Sequence, residues 1–330
     1  MEKVKAEEAV GKVLGSDVTD IIPGVRKGPL FKRGHIIKEE DIEKLLSIGK
    51  HYVWILGKDE GFVNEDDAAN EMMQALKGKN LYANNPSESI VKLFAEKRGV
   101  VTIDTEGLRE INKLKDPRIA VVYNFSFVEK NAPVALGKVM PLEIPISEMA
   151  EIKRIAEEHY PIINLLPLKK HKIAIFPVGN EFIEGRRKET MSFNVMHYLE
   201  EMGQNVFLRK VLPDDASVVK QNALSAIDNG ADIVIYMGGM AVDPDDRTTE
   251  GIKEMGVDIV TYGVPMWPGI TFLISYKNGK VVLGIPGAAG LAKSGTSFHR
   301  IMPIILADYT LSKEEIVTMG EGGFINAKNL

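Results

Sequence analysis

Three groups of acidic residues punctuate the second half of the chain, each following an apolar run. They are Glu181 in Gly179-Asn180-Glu181, the pair Asp214-Asp215 behind Pro213, and the crowded stretch Asp243-Pro244-Asp245-Asp246. Carboxylates packed that closely repel one another, so something must neutralise part of their charge. One neutraliser is the next helix. Asp245 or Asp246 would accept its free amides and sit well at the positive end of its dipole, and Asp215 would do the same for the helix after Pro213, leaving Asp214 to reach across the strand ends. The other is a hydrated Mg2+ ion, which takes one or two carboxylates and completes its shell with water and substrate phosphate oxygens. The two readings are compatible when different residues take the two roles.

Two loops of small residues accompany the acids. In Met237-Gly238-Gly239-Met240 the paired glycines allow a sharp turn and a close approach of backbone to ligand, or simply a tight turn. In Ile285-Pro286-Gly287-Ala288-Ala289-Gly290, small residues ahead of a helix expose backbone amides, which either pack closely or cradle an anion. An anion cradle and an acidic, Mg2+-suited loop on one edge together point to a phosphorylated ligand. Arg186-Arg187-Lys188 is a solvated face or, at the mouth of such a site, a phosphate clamp. Met237 and Met240 suit the core or a pocket wall rather than chemistry. The 6 histidines show no HxxxH spacing, and no nucleophile-elbow sequence supports a serine hydrolase.

Such a ligand needs the loops on one edge, and the intervening elements supply it. From residue 172 the pattern reads strand, loop, helix, repeated: KIAIFPV, then the helix ending MSFNVMHYLEEMG; NVFLRKVL, then ASVVKQNALSAI; DIVIYM, then TTEGIKEMG; and IVTYGVPM. TFLISYKNGKVVLGIP closes the series as a hairpin across Lys277-Asn278-Gly279-Lys280, before a helix beyond PGAAG. This alternation predicts an α/β fold, a three-layer α/β/α arrangement around a mostly parallel sheet. Ligands of such sheets lie outside the carboxyl ends of the strands. That places the site on the loops at 178–190, 212–216, 237–250 and 285–296.

The first half reads as smaller α+β units. Residues 1–57 form one, with a helical start at EEAVGKVL, short strands and turns, a helix over KEEDIEKLLSIG and a strand at HYVWIL. Residues 58–170 form a middle region. DDAANEMMQAL and NNPSESIVKLFAEK are read as helices, RGVVTI as a strand, ALGKVMPLEIP as extended, and SEMAEIKRIAEEHYPII as an amphipathic connecting helix. A third domain spans 171–330, with the best-marked boundary near 168–172.

Composition excludes several classes. With no cysteine, disulfides, thiolate metal sites and cysteine nucleophiles are absent, which fits a reducing compartment. The net charge of −5 is spread along the chain, with no basic cluster interleaved with aromatics, so neither nucleic acid nor an anionic membrane is an expected partner. The charged opening MEKVKAEEAVGK is not a signal peptide and no apolar run reaches membrane-spanning length. The expectation is a cytoplasmic protein.

In this order, the loops resemble the molybdopterin-binding domain shared by MogA, MoaB and MoeA proteins and gephyrin. The nearest likeness is to a MoeA-like group of molybdopterin-binding proteins. GGMAVDPDDRTTEGIKEMGVDIVTYGVPMWPGITFLISY is similar to that group's signature nearly throughout, and LADYTLSKEEIVTMGEGG to its C-terminal tail. FKRGHIIKEEDIEKLLSIGKHYVWIL carries a weaker likeness into the first half. The resemblance implies a ligand that is molybdopterin or adenylyl-molybdopterin. One branch of the family transfers an adenylyl group from Mg-ATP to the pterin phosphate, and another uses molybdate and releases AMP. By position it implies Glu181, Asp214 and Asp246 as catalytic residues, with Asp246 and Asp214 on Mg2+. Gly179, Asn180, Gly238, Gly239, Met240, Asp243, Asp245, Pro286, Gly287 and Ala288 would contact the ligand. It also implies a homo-oligomer, with residues 1–57 as a place for the contact, and a molybdoenzyme or cofactor-assembly partner.

The chain departs from the family's pattern at informative places. The family's Thr-Gly-Gly is Met237-Gly238-Gly239, a frequent serine is Ala241, and the Leu-Pro-Gly-Asn-Pro type of loop is Ile285-Pro286-Gly287-Ala288-Ala289. The aspartate of the first loop is missing from Arg186-Arg187-Lys188-Glu189-Thr190, although Glu189 lies near. The lysines flanking Pro-Gly in the molybdate-inserting branch are Trp267 and Ile270. Three functions therefore stand: an Mg2+-dependent adenylyltransferase or molybdotransferase-like enzyme, a non-catalytic pterin carrier, and a CinA-like nucleotide pyrophosphatase.

Overall fold

In a computed structural model, residues 1–22, 26–57, 61–86, 89–240 and 246–325 are described. The chain divides into two compact units, one of residues 1–96, 101–124 and 130–165, the other of residues 97–100, 125–129 and 166–330.

In the first unit, strand Glu2–Lys5 pairs antiparallel with Tyr52–Ile55, and helix Glu39–Ser47 packs Leu45 into a core with Val4, Leu14, Ile37 and Val53. The helical start expected at EEAVGKVL is replaced by a single 3-10 turn, Ala6–Glu8. Beyond it the backbone extends, because Val13 bridges Ile36 and the buried Leu14 bridges Ile55. The second correction concerns NNPSESIVKLFAEK, where Ile90–Ala95 is a strand rather than a helix. It pairs with Leu81–Ala83 on one side and Pro133–Val139 on the other, with Pro117–Val121 completing a four-stranded antiparallel sheet. Ile90, Val91, Leu93 and Phe94 satisfy either period, but Val91, Leu93 and Ala95 are buried while Lys92 is exposed, which is alternation. Helix Glu65–Leu76 is capped by Asn64 and buries Ala69, Met72, Met73 and Leu76.

The second unit holds the loops of interest. Its elements are β1 (Lys172–Pro177), α1 (Asn180–Ile183), α2 (Met191–Glu201), β2 (Asn205–Arg209), α3 (Ala216–Asp228), β3 (Ile233–Met237), α4 (Thr248–Glu254), β4 (Asp258–Tyr262), β5 (Leu273–Lys277), β6 (Lys280–Ile285), α5 (Gly287–Leu291), α6 (Ser297–Leu306) and α7 (Lys313–Thr318). The sheet order is β2-β1-β3-β6-β5-β4. The first four strands run parallel, and β5 is antiparallel to both its neighbours. The hairpin turns at Asn278 and Gly279, as read from the sequence.

Alternation along the strands builds the three layers. Ile173, Ile175, Ile233, Ile235 and Leu283 point to one face, where Val195, Tyr198 and Leu199 of α2 and Phe298, Ile301 and Ile305 of α6 cover them. Ala174, Phe176, Val234, Tyr236 and Val282 point to the other, against Val219, Ala223 and Ala226 of α3 and Ile252 of α4. Each fully buried side chain of this kind contributes about 1.5–3 kcal/mol, so the sheet edge is set by well-packed layers. Tyr236 satisfies its one polar atom by donating to Val219 O at 2.5 Å.

Candidate functional site

The chain leaves β1 for α2 on one face and β3 for α4 on the other, so the loops after these neighbouring strands diverge. In sheets of this kind ligands bind where connections part in this way. The strand ends are tied together there by Val178 N–H, which donates to Met237 O at 2.8 Å, and Gly179 N–H, which donates to Leu212 O at 3.0 Å.

Asn180 and Asp214 join the first and second loops reciprocally. Asn180 N–H donates to Asp214 Oδ2 at 2.8 Å, and Asp214 N–H donates to Asn180 Oδ1 at 3.1 Å. Asp215 caps α3, accepting from Val218 N–H at 2.9 Å, so the neighbouring acid is released from that task. The two adjacent aspartates thus do different work.

The glycines of the third loop are required on two counts. Gly238 and Gly239 have φ of +94° and +61°, which L side chains rarely adopt. A Cβ on Gly238 would stand 2.6 Å from Val178 O; one on Gly239 would stand 3.0 Å from Asp214 Oδ1 and closer still to Thr248 Oγ1. Thr248, fully buried, donates its hydroxyl to Gly238 O at 3.0 Å and its N–H to Gly239 O at 3.2 Å. From the end of β4, the Tyr262 hydroxyl donates to Met240 O. Val178, Thr248 and Tyr262 therefore hold one loop from several sides, and Asp214 crowds it.

Asp246 has a different standing. The residue capping α4 is Arg247, which makes no side-chain cap bond and pairs instead with Glu250. Asp246 does not serve as the cap that its position suggested, and its Oδ2 is buried with no hydrogen-bond partner among the described residues. A buried polar atom left without a partner costs about 1–3 kcal/mol, more for a charged group, and so calls for a water, ion or ligand. Asp243 and Asp245 lie outside the described residues. Among those described, no three His, Asp or Glu side chains converge as a metal cluster. The donor set at this edge fits an ion that takes one or two protein carboxylates and shares phosphate oxygens, as Mg2+ does.

The remaining candidate residues lie on the loops of this edge and in the helices they enter. The Glu181 carboxylate folds back so that a Cβ on Gly179 would meet Oε2 at 2.6 Å. Arg186, Arg187 and Lys188 are exposed, with Arg186 paired to Glu184 at 2.7 Å. Pro286, Gly287 and Ala288 open the short helix α5, whose Gly290 O accepts from the Asn194 side chain at 2.7 Å. Glu189 is structural: it accepts from Ser192 N–H at 2.8 Å and Ser192 Oγ at 2.6 Å and pairs with Arg209. Burial pushes its carboxyl upward, but those bonds outweigh it and hold it below the usual range. Thr248 and Tyr262 were not singled out in the sequence. The hydroxyl in the first turn of a helix directly behind a glycine loop was the available signal for the first; Tyr262 gave none.

With this geometry in place, comparison with known proteins is decisive for the domain. Residues 174–306 match the family described as "Probable molybdopterin binding domain". The second unit carries a domain of that family. Residues 3–57 match a domain of unknown function (DUF8806). Curated proteins are similar to parts of the chain. A putative competence-damage inducible protein of Lysinibacillus sphaericus is 34% identical over 86 residues, 26% of this chain and 20% of that protein. A molybdopterin adenylyltransferase of Pyrococcus furiosus is 28% identical over 95 residues, 29% of this chain and 56% of that protein. The matches thus span a fifth to about half of these relatives' lengths. Among solved structures, MoaB of Thermus thermophilus aligns over 41% of this chain and 91% of its own at 21% identity, with a TM-score of 0.36. No helix among the described residues is long and apolar enough to cross a membrane.

Proposed function

We propose that this chain binds molybdopterin or its adenylylated form through the carboxyl edge of the second unit's sheet and acts in molybdenum-cofactor assembly. The reaction class that suits the site is Mg2+-dependent adenylyl transfer. A pterin phosphate oxygen bonds to the α-phosphorus of ATP while the bond to the β-phosphate oxygen breaks and pyrophosphate leaves. Such transfers need positioning and charge neutralisation more than a strong nucleophile. Mg2+, when bound by Asp246 with Asp214 nearby, would supply that neutralisation. The chain's own residues do the rest: Gly238 and Gly239 let backbone approach the phosphates, Thr248 and Tyr262 fix that loop, and Asn180 and Glu181 line the adjoining strand end. Pro286, Gly287 and Ala288 face the same edge with small residues.

The observation that carries this reading is the buried, unpartnered Oδ2 of Asp246 beside a loop whose glycines admit no Cβ. The likeness to the competence-damage family favours a second reading at the same site, in which water replaces the pterin phosphate and a nucleotide pyrophosphate bond is hydrolysed. A carrier without turnover is the reading favoured by Met237 and Ala241 standing where the family has hydroxyls. The long segment 238–276 supports placement near the MoeA-like group, and a cytoplasmic homo-oligomer serving a molybdoenzyme is the setting we infer. Calorimetric titration with ATP and with a pterin phosphate, each with and without Mg2+, tests it. Ligand binding that needs Mg2+ and is lost in Asp246→Ala protein is expected. Unchanged binding in that variant refutes the assignment, and pyrophosphate release without pterin favours the hydrolase.

A further inference from the structure

The sheet edge that carries the site continues past Pro286 into the segment between β4 and β5, residues 263–272. Because β4 ends on the same edge as β6, this segment stands beside the site loops. It is pinned throughout. Trp267 N–H donates to Gly323 O at 2.8 Å, and Trp267 O accepts from Ile325 N–H at 2.9 Å. Ser297 N–H donates to Pro268 O at 3.0 Å, its buried hydroxyl donates to Gly269 O at 2.7 Å, and Val264 N–H donates to Ile270 O at 2.9 Å. Gly269 leaves no room for a Cβ, which would stand 3.2 Å from Pro286 Cγ and closer to Ser297 Oγ. Yet the side chain of Trp267 on this fixed backbone is 55% exposed, with Ile270 at 49%.

A backbone held at so many points with its largest side chain presented to solvent is preorganised for contact. The position tells with what. Met237 pairs with Ile285 in the sheet, Pro286 follows Ile285, and Gly269 packs on Pro286. The backbone of Trp267, two residues before Gly269, thus stands on the far side of the Pro286 loop from Gly238, about two strand spacings or roughly 10 Å along the edge. A ligand with phosphate at the glycine loop would bring a ring system to it.

We propose that Trp267 is the ring-stacking residue of this site, selecting ligands in which a planar fused heteroaromatic ring, a pterin or a purine, is joined to a phosphate. This rests on the function proposed above. Aromatic stacking on such a ring contributes about 1–3 kcal/mol.

The chain has only 2 tryptophans, Trp54 and Trp267, so Trp54→Phe protein reports on Trp267 alone. Its fluorescence would be followed while ATP, neopterin monophosphate and ring-free tripolyphosphate are added with Mg2+, and affinities compared by calorimetry in Trp267→Leu and Trp267→Phe proteins. The expected result is quenching by both ring ligands and affinity for them roughly 5- to 100-fold weaker in Trp267→Leu, at tenfold per 1.4 kcal/mol. Trp267→Phe should recover most of it, and tripolyphosphate should bind all variants alike. Ring ligands that bind Trp267→Leu as tightly as wild type overturn the stacking role while leaving the site intact. Equal weakening of ring and ring-free ligands makes Trp267 a structural wall and overturns it too. Failure of wild type to bind either ring ligand removes the proposed function and this inference together. Should Trp267→Leu not fold, the quenching and the Trp267→Phe affinities still decide.

Discussion

Gly239→Ala is the substitution that most sharply separates a working loop from a decorative one. Alanine at φ +61° costs about 1 kcal/mol or somewhat more in backbone conformation. Its Cβ would also collide with Thr248 Oγ1 and stand 3.0 Å from Asp214 Oδ1. Thr248 must then turn away, leaving the half-buried Gly238 carbonyl without its 3.0 Å donor, at about 1–3 kcal/mol. The total is about 2–4 kcal/mol. Gly279→Ala is the control, because its φ of +76° carries the same backbone cost but a Cβ there meets nothing within 4 Å. At about 2–4 °C per kcal/mol for a unit of this size, the melting temperature should fall roughly 5–15 °C in the first variant and only about 2–5 °C in the second. Trp267 fluorescence in Trp54→Phe protein follows the second unit's melting, and calorimetry with Mg-ATP follows binding, which should be lost only in Gly239→Ala. Equal melting temperatures and equal affinities in the two variants would refute the reasoning.

The neighbouring aspartates should separate cleanly: Asp215→Ala removes the α3 cap and costs about 1 kcal/mol without changing ligand affinity, whereas Asp214→Ala weakens binding, both read by urea melts and calorimetry. Glu189→Gln should destabilise the second unit by about 1.5–3 kcal/mol through the charge-assisted bonds to Arg209 and Ser192. Since the Glu189 carboxyl is held below its unfolded value of about 4.3, that contribution is present above this pH and disappears as pH falls through the folded value, so the gap between variant and wild type should close in acid. In the first unit, His159 is raised by its 3.0 Å bond to Asp104, which is itself lowered. The pair stabilises most between about pH 4 and 6.5, losing strength as pH rises through the His159 folded value or falls through that of Asp104, and His159→Ala should flatten that profile in urea melts.

Much of the second unit was legible because its central strands β1, β3 and β6 are largely buried on both faces and read as apolar runs, and because glycine and proline mark each strand end. The hairpin at Asn278-Gly279 and the cap at Asp215 follow from local chemistry alone. Ile90–Ala95 misled because six residues with two apolar pairs satisfy both periods, and only the flanking strands decide between them. Asp246 shows the opposite limit: local sequence favours a cap, while the chain folds so that Arg247 begins the helix and the carboxylate turns inward. Tyr262 reaches Met240 across an antiparallel pairing that no local pattern encodes.

The missing hydroxyls of the glycine loop bear on whether the site still binds. Met237 places its side chain in the core between the sheet and its covering helices, where a threonine hydroxyl would find little use. The polar contact to the loop comes instead from the opposite side, from Thr248, and the restraint on Met240 comes from Tyr262. The loop combines two left-handed glycines, which are costly in the folded chain's entropy, with a buried carboxylate oxygen that has no hydrogen-bond partner among the described residues. Both features stand at the end of β3, and Trp267 lies further along the same edge on a fixed backbone. The proposed ligand, with its phosphate at the glycines and its ring on Trp267, would engage both the backbone that lacks Cβ atoms and the exposed aromatic, which is why the loss of two hydroxyls does not by itself argue for an empty site.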